Sequence, residues 1–166
     1  FHVIVPDLVG FGYTETPADF EFKFMTSWLE QIRALLTKLD VDRVNIVGNS
    51  FGGALALWLA ATDPRLCGRL VLMGPGGWPT KVNANLALLW GYTPSIENMK
   101  AILDVMAFDR SIVTDELAEL RYKSTVRPGA QETFERVFPA PYQRWLDAQA
   151  LSIEALQNID NEVLII

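Results

Sequence analysis

The sequence predicts an α/β fold, a mostly parallel sheet with helices on both faces, and three observations predict it. Short β-branched runs alternate with helical patterns: Val3 to Val5, Arg43 to Gly48 and Arg69 to Gly74 read as strands, with helical stripes between them. Each run is apolar throughout rather than alternating, which marks strands buried on both faces. The chain has 166 residues, half of them apolar, enough for one domain with a substantial core.

The first run ends at Pro6-Asp7, and Gly10 and Gly12 open a loop through LVGFGYTETP. From Met25, apolar residues recur at Trp28, Leu29, Ile32, Leu35, Leu36 and Leu39, so a first helix starts at Thr26, or at Ser27 with Glu30 as a capping box. The second run feeds SFGGALALWLAAT, apolar on nearly every face and ended by Pro64, which is a buried helix. After the third run comes the glycine- and proline-rich GPGGWPT.

From Trp78 to about Ala150 helical stripes follow one another without a strand. Ile96, Met99, Ile102, Leu103 and Met106 form one; Leu117 and Leu120 belong to another that begins at Thr114 and stops by Arg127-Pro128-Gly129. This places α/β core at 1–77, an all-helical insertion at 78–150 and a return to the core at 151–166, where EVLII has strand character. Phe1 opens directly into a strand-like run and Ile166 closes one, so both ends read as places where a longer protein is interrupted.

Fourteen basic against twenty acidic residues give a net charge of −6, which argues against nucleic acid as a partner. One cysteine, Cys67, leaves no disulfide framework or thiolate metal cluster and fits a reducing cytoplasm. No leader pattern opens the chain, and no apolar stretch approaches the length of a membrane span.

Gly48-Asn49-Ser50-Phe51-Gly52 fits the G-x-S-x-G nucleophile elbow, set between a predicted strand and a predicted helix. The glycines answer the close approach of backbone at such a turn, with Gly53 extending that allowance into the helix. The Phe51 N–H, at the helix start, is placed to donate to an oxyanion. The serine needs a base. The lone histidine, His2, begins a strand, whereas catalytic groups of open α/β sheets gather at the strands' carboxyl ends, so His2 reads as an exposed residue. Asp7 reads as a turn residue bonding loop amides, while Asp104, Asp109 and Asp115 read as solvated or capping. A partner acid is therefore expected beyond Ile166.

The blocks VIVPDLVGFGYTETP, RVNIVGNSFGGALAL and RLVLMG resemble successive strand-and-loop blocks of the α/β-hydrolase fold, and EVLII resembles the strand before its catalytic acid. The segment from LLWGYTPSIENMK to STVRPG, with FPAPYQRWLDA, is similar to the lid of the meta-cleavage product hydrolases, nearest the 2-hydroxymuconate-semialdehyde hydrolase branch. The resemblance covers essentially the whole chain. It implies hydrolysis of a carbon-carbon bond in small anionic 2-hydroxy-6-oxo-hexa-2,4-dienoates from aromatic degradation, without metal or organic cofactor, in a homo-oligomer when full length.

On this reading Ser50 is the nucleophile, acting through an acyl-enzyme or through water activated beside it, and the Phe51 N–H is one oxyanion donor. Arg121 sits where the family's lid arginine holds the substrate carboxylate, a match a bidentate guanidinium suits; without the lid match it reads as a charge on a solvated face beside Glu119 and Lys123. Asn49 is implied as an orienting amide, or as a turn residue. Gly76, Leu86, Leu89, Trp90 and Leu146 fall at positions lining the substituent pocket, and each also suits ordinary packing. The chain lacks the family's strand with the HG loop, its acid-bearing loop and its final Gly-His, so the 166 residues alone are expected to be inactive. The rival readings are another lidded α/β-hydrolase of esterase type and a hydrolase-like binding protein without a triad.

Overall fold

The computed structural model describes residues 1–17 and 19–166. The chain divides into two compact units, one of Asp19–Lys81 with Gln143–Ile166 and the other of Phe1–Ala18 with Val82–Tyr142. The helical segment at 78–150 is thus shared between them: its last helix, α7, Gln143–Gln149, belongs with the sheet.

The first unit holds a three-stranded parallel sheet of β1, Val44–Asn49, β2, Cys67–Met73, and β3, Val163–Ile165, in the order β1-β2-β3. Ile46 pairs with Leu70 and Asn49 with Met73, after an irregularity between Val44 and Ile46. There the Asn45 side-chain oxygen accepts the Arg69 N–H at 2.8 Å, so a side chain stands in for a ladder partner. Helix α1, Thr26–Lys38, packs on α2, Phe51–Thr62, and α2 packs on β1 and β2. Because α2 is apolar nearly all round, seven of its residues are buried, and Trp28, Leu59, Leu70 and Leu72 form the centre of the core. Burial of each large side chain contributes roughly 1.5–3 kcal/mol. At the far end of α2, Arg33 bridges to Asp63 at 2.5 Å and donates to Thr62 at 2.8 Å, tying the two helices together. The short α8, Ile153–Gln157, leads into β3.

Two expectations for this unit change. The start of α1 is not a capping box: the Ser27 hydroxyl accepts the Lys23 N–H at 2.9 Å while the Ser27 N–H donates back to the Lys23 carbonyl, so it closes the preceding turn instead. The apolar strand runs are also only partly covered within this chain, since Val47 is 67% exposed and all of β3 is exposed.

The second unit contains α3, Ala84–Trp90, α4, Ile96–Met106, a 3-10 turn at Arg110–Ile112, α5, Asp115–Thr125, and α6, Ala130–Val137. Asn83, Ser95 and Thr114 each accept an amide bond three residues on, which fixes three helix starts. The contact between α4 and α5 is built on Met99, Leu103 and Ala118, with Tyr92, Val113, Leu117 and Tyr122 around it. On α5 the most buried residue is thus Ala118, at 0% exposure, while Leu120 is exposed. A small side chain lets the helices approach, a role that a leucine stripe does not announce.

Val3 to Val5, expected as a strand, has Val3 and Val5 exposed and Ile4 half-buried and joins no sheet among the described residues, so its ladder groups have no neighbouring strand. Asp7 behaves as its turn context predicts, its carboxylate accepting the Tyr13 N–H at 2.9 Å and its carbonyl the Thr14 hydroxyl at 2.6 Å.

Candidate active site

The carboxyl end of β1 runs into α2 through one residue, Ser50, whose φ of 50° and ψ of −113° lie where L-residues are rarely found. Such a conformation costs about 1–3 kcal/mol and persists only when the surroundings over-determine it. They do so here through both backbone groups. The Ser50 N–H donates to the Met73 carbonyl at the end of β2 at 2.9 Å, and the Ser50 carbonyl accepts from Gly53 at 3.0 Å, Ala54 at 3.2 Å and Gly76 at 2.9 Å. The Ser50 side chain is exposed and does not cap the helix it precedes. A hydroxyl that makes no hydrogen bond among the described residues, on a strained strand-to-helix turn, is the arrangement that nucleophilic attack requires.

The elbow's glycines divide by their surroundings. A Cβ on Gly48 would stand 2.5 Å from the Gly52 carbonyl oxygen, and one on Gly53 would stand 2.4 Å from the Pro75 Cβ. Around Gly52, in contrast, a Cβ meets nothing within 4 Å among the described residues, so close packing accounts for Gly48 and Gly53 but not for Gly52.

Phe51, the first residue of α2, is anchored by its ring. It meets Trp28 edge-on at 4.7 Å and Phe24 at 6.0 Å, and Phe24 in turn lies 4.8 Å from Trp145. Each such pair adds about 0.5–1.5 kcal/mol beyond area burial. The backbone beside Ser50 is therefore fixed from the core, and a helix N-terminus, with its positive dipole end, directly follows the serine. The sequence reading missed this aromatic clamp, although Phe22, Phe24, Trp28 and Trp145 are conspicuous in the chain.

The other expected site residues are distributed over both units. Asn49 is exposed at the end of β1, next to Ser50. Gly76 donates to the Ser50 carbonyl and packs against the side chain of Gln149, and Leu146 is buried on α7, all within the sheet-bearing unit. Leu86, Leu89 and Trp90 lie half-buried on α3 in the other unit, where Trp90 stacks on Phe138 at 6.5 Å and meets Tyr142 at 5.9 Å. Arg121 is exposed on α5 and forms no ion pair among the described residues, while its neighbours Glu119 and Lys123 pair with each other at 2.9 Å. Gln149, unforeseen from the sequence, is a buried polar residue of the same unit as Ser50, and its carbonyl accepts the Trp58 indole N–H at 2.7 Å.

His2 is exposed and belongs to the unit that does not contain Ser50. At the opposite ends of the strands from Ser50, a groove is lined by Arg43, Asn45, Arg69, Asn161 and Glu162. Its polar groups serve the fold: Arg69 bridges to Glu162 at 2.6 Å, and the Asn161 amide donates to the carbonyls of Cys67 and Gly68. Among the described residues no group of three or more His, Cys, Asp or Glu is placed to hold a metal, and no helix is long and apolar enough to cross a membrane.

The α/β hydrolase fold family is matched over residues 1–165. The chain is 49% identical, over 164 residues, to a 2-hydroxy-6-oxo-2,4-heptadienoate hydrolase of Pseudomonas putida, covering 99% of this chain and 59% of that protein. It is 45% identical to a 2-hydroxymuconate semialdehyde hydrolase of a Pseudomonas species, covering 99% of this chain and 58% of that one. Among solved structures, a meta-cleavage product hydrolase of Pseudomonas fluorescens, a serine-to-alanine variant complexed with acetates, superposes with a TM-score of 0.93 at 47% identity, over 96% of this chain and 58% of that one. The chain thus spans less than two thirds of the length of the relatives it matches.

Proposed function

The chain belongs to the α/β hydrolase fold family, and from that premise we propose that it is the elbow-bearing part of a longer serine-dependent hydrolase that cleaves a carbon-carbon bond in 2-hydroxy-6-oxo-hexa-2,4-dienoates. The observation that carries this reading is the strained, exposed Ser50 between β1 and α2. Likeness to two curated hydrolases of such dienoates, at 49% and 45% identity, supplies the substrate class.

In the proposed reaction the dienol first takes its keto form, so that electrons released by cleavage have a carbonyl to enter. The Ser50 hydroxyl adds to C6 as its proton passes to a base, and the oxyanion formed is held by the Phe51 N–H and the α2 dipole. Collapse breaks the C5–C6 bond, C5 leaves as a stabilised carbanion and takes a proton, and water releases the C6 acid. Arg121 holds the carboxylate end, and Asn49 orients the nucleophile's turn. The base and the acid of the triad are assigned to the part of the protein outside these residues, because the sole histidine of the chain, His2, is an exposed residue at the start of a strand-like run and the loop GPGGWPT after β2 carries no carboxylate.

An esterase-type hydrolase shares the elbow but has no use for Arg121. The full-length enzyme, offered 2-hydroxymuconate semialdehyde and a simple neutral ester, is expected to consume the yellow dienoate faster. Rapid ester turnover with the dienoate left intact would assign it to the esterases, and loss of neither would favour a binding protein.

A further inference from the structure

The sheet-bearing unit contains one feature that neither fold nor elbow explains. Gln149 is only 6% exposed, yet its side-chain amide makes no hydrogen bond among the described residues. Among the described residues no side-chain nitrogen or oxygen that is sealed from solvent lacks a partner, so the unbonded Gln149 amide keeps contact with solvent and is not sealed in the packed interior. Its setting is specific. The amide lies against Gly76, where a Cβ would stand 3.0 Å from its Oε1, and the Gly76 N–H bonds the Ser50 carbonyl at 2.9 Å. The Gln149 backbone is pinned by the Trp58 indole at 2.7 Å, and the next turn by the Leu151 N–H on the Gly77 carbonyl at 2.8 Å.

We infer that Gln149 is a specificity residue that restricts the substrate to small groups on C6. The inference rests on the function proposed above. A residue separated from Ser50 only by Gly76 is near the attacked carbon and its substituent, not the carboxylate at the other end of the diene. A hydrogen or methyl group on C6 leaves the amide hydrated. A bulky apolar group, such as phenyl, fills that space, strips the water and leaves both polar atoms of the amide unpaired, a penalty of the kind by which buried polar groups reject unmatched ligands. Gly76 provides the room and Gln149 sets its polarity.

The test uses the full-length enzyme with Gln149→Met and Gln149→Leu, which keep the length or bulk of the side chain and remove its hydrogen-bonding groups. kcat/KM is measured for dienoates carrying hydrogen, methyl or phenyl on C6. The expected result is a rise of about tenfold in the ratio of phenyl to methyl turnover in both variants. Because the ratio is taken on a single preparation, a smaller folded fraction cancels. An unchanged ratio, or an equal loss on all three substrates, would overturn the inference and leave Gln149 as a packing residue. If the unsubstituted enzyme consumes none of the three dienoates, it is the proposed function that fails, a result separable from the first.

Discussion

The Gly76 N–H donates to the Ser50 carbonyl at 2.9 Å, so the loop after β2 holds the turn that carries the serine. With the bond from the Ser50 N–H to Met73, it clamps both backbone groups of a residue at φ 50°. The strain is thus a property of the frame and persists whatever the side chain. Ser50→Gly is expected to melt above Ser50→Ala, because glycine removes the positive-φ cost. After the entropy that glycine adds to the unfolded state, the difference should be about 1 kcal/mol in paired thermal unfolding of the full-length enzyme. Equal melting of the two variants would mean that the elbow is relaxed.

The elbow glycines should separate in the same measurement. Gly48→Ala forces a Cβ into the Gly52 carbonyl, a backbone group that cannot swing aside as a flexible side chain could, and is expected to cost about 3 kcal/mol or more. Gly52→Ala meets open space inside α2 and improves helix propensity, so stability should hold or rise by up to about 1 kcal/mol. Equal losses from both would contradict the packing described.

Cys67 offers a pH signature. Its thiol is pushed up to about 11 from 9.0, chiefly by burial, with Asp63 adding to the rise and Arg33 and Arg43 opposing it. An acid whose folded pKa is raised favours folding fully below its unfolded pKa, and that contribution is lost as pH climbs toward the folded value. Between pH 9 and 11 stability should therefore fall by an amount on the order of 1–2 kcal/mol from this thiol. Urea midpoints of the full-length protein across that range, against Cys67→Ala, check it. A Cys67→Ala variant with the same pH slope would remove the thiol from the explanation.

Arg121→Ala should weaken the carboxylated dienoate by roughly 10–100-fold in kcat/KM, the scale of a charge-assisted bidentate contact. A neutral ester should change by less than about threefold, because an exposed arginine that forms no ion pair among the described residues contributes little to the fold. An equal effect on both substrates would make Arg121 structural.

The legible parts of the fold were those set by local patterns. Ile96–Met106 emerges as a helix from its apolar spacing, Thr114 caps α5 as its position before the stripe indicates, and Ser50 falls between strand and helix where the glycines place it. What the sequence hides depends on partners distant in the chain. Val3 to Val5 has strand composition but needs a neighbour to become a strand. Ala118 carries a helix contact because it is small, and Ser27 bonds backward to Lys23 rather than forward to its helix. Gln149 escaped notice for a similar reason: a glutamine in WLDAQA looks solvated until Gly76, more than seventy residues earlier, is found against it.

The most direct test of the central claim is dienoate turnover by Ser50→Ala in the full-length enzyme, followed by the loss of the substrate's yellow colour. Carbon-carbon cleavage is expected to fall by at least about 10³-fold while the folded state persists. Cleavage at an undiminished rate by a folded Ser50→Ala enzyme would contradict the assignment of Ser50 as the nucleophile.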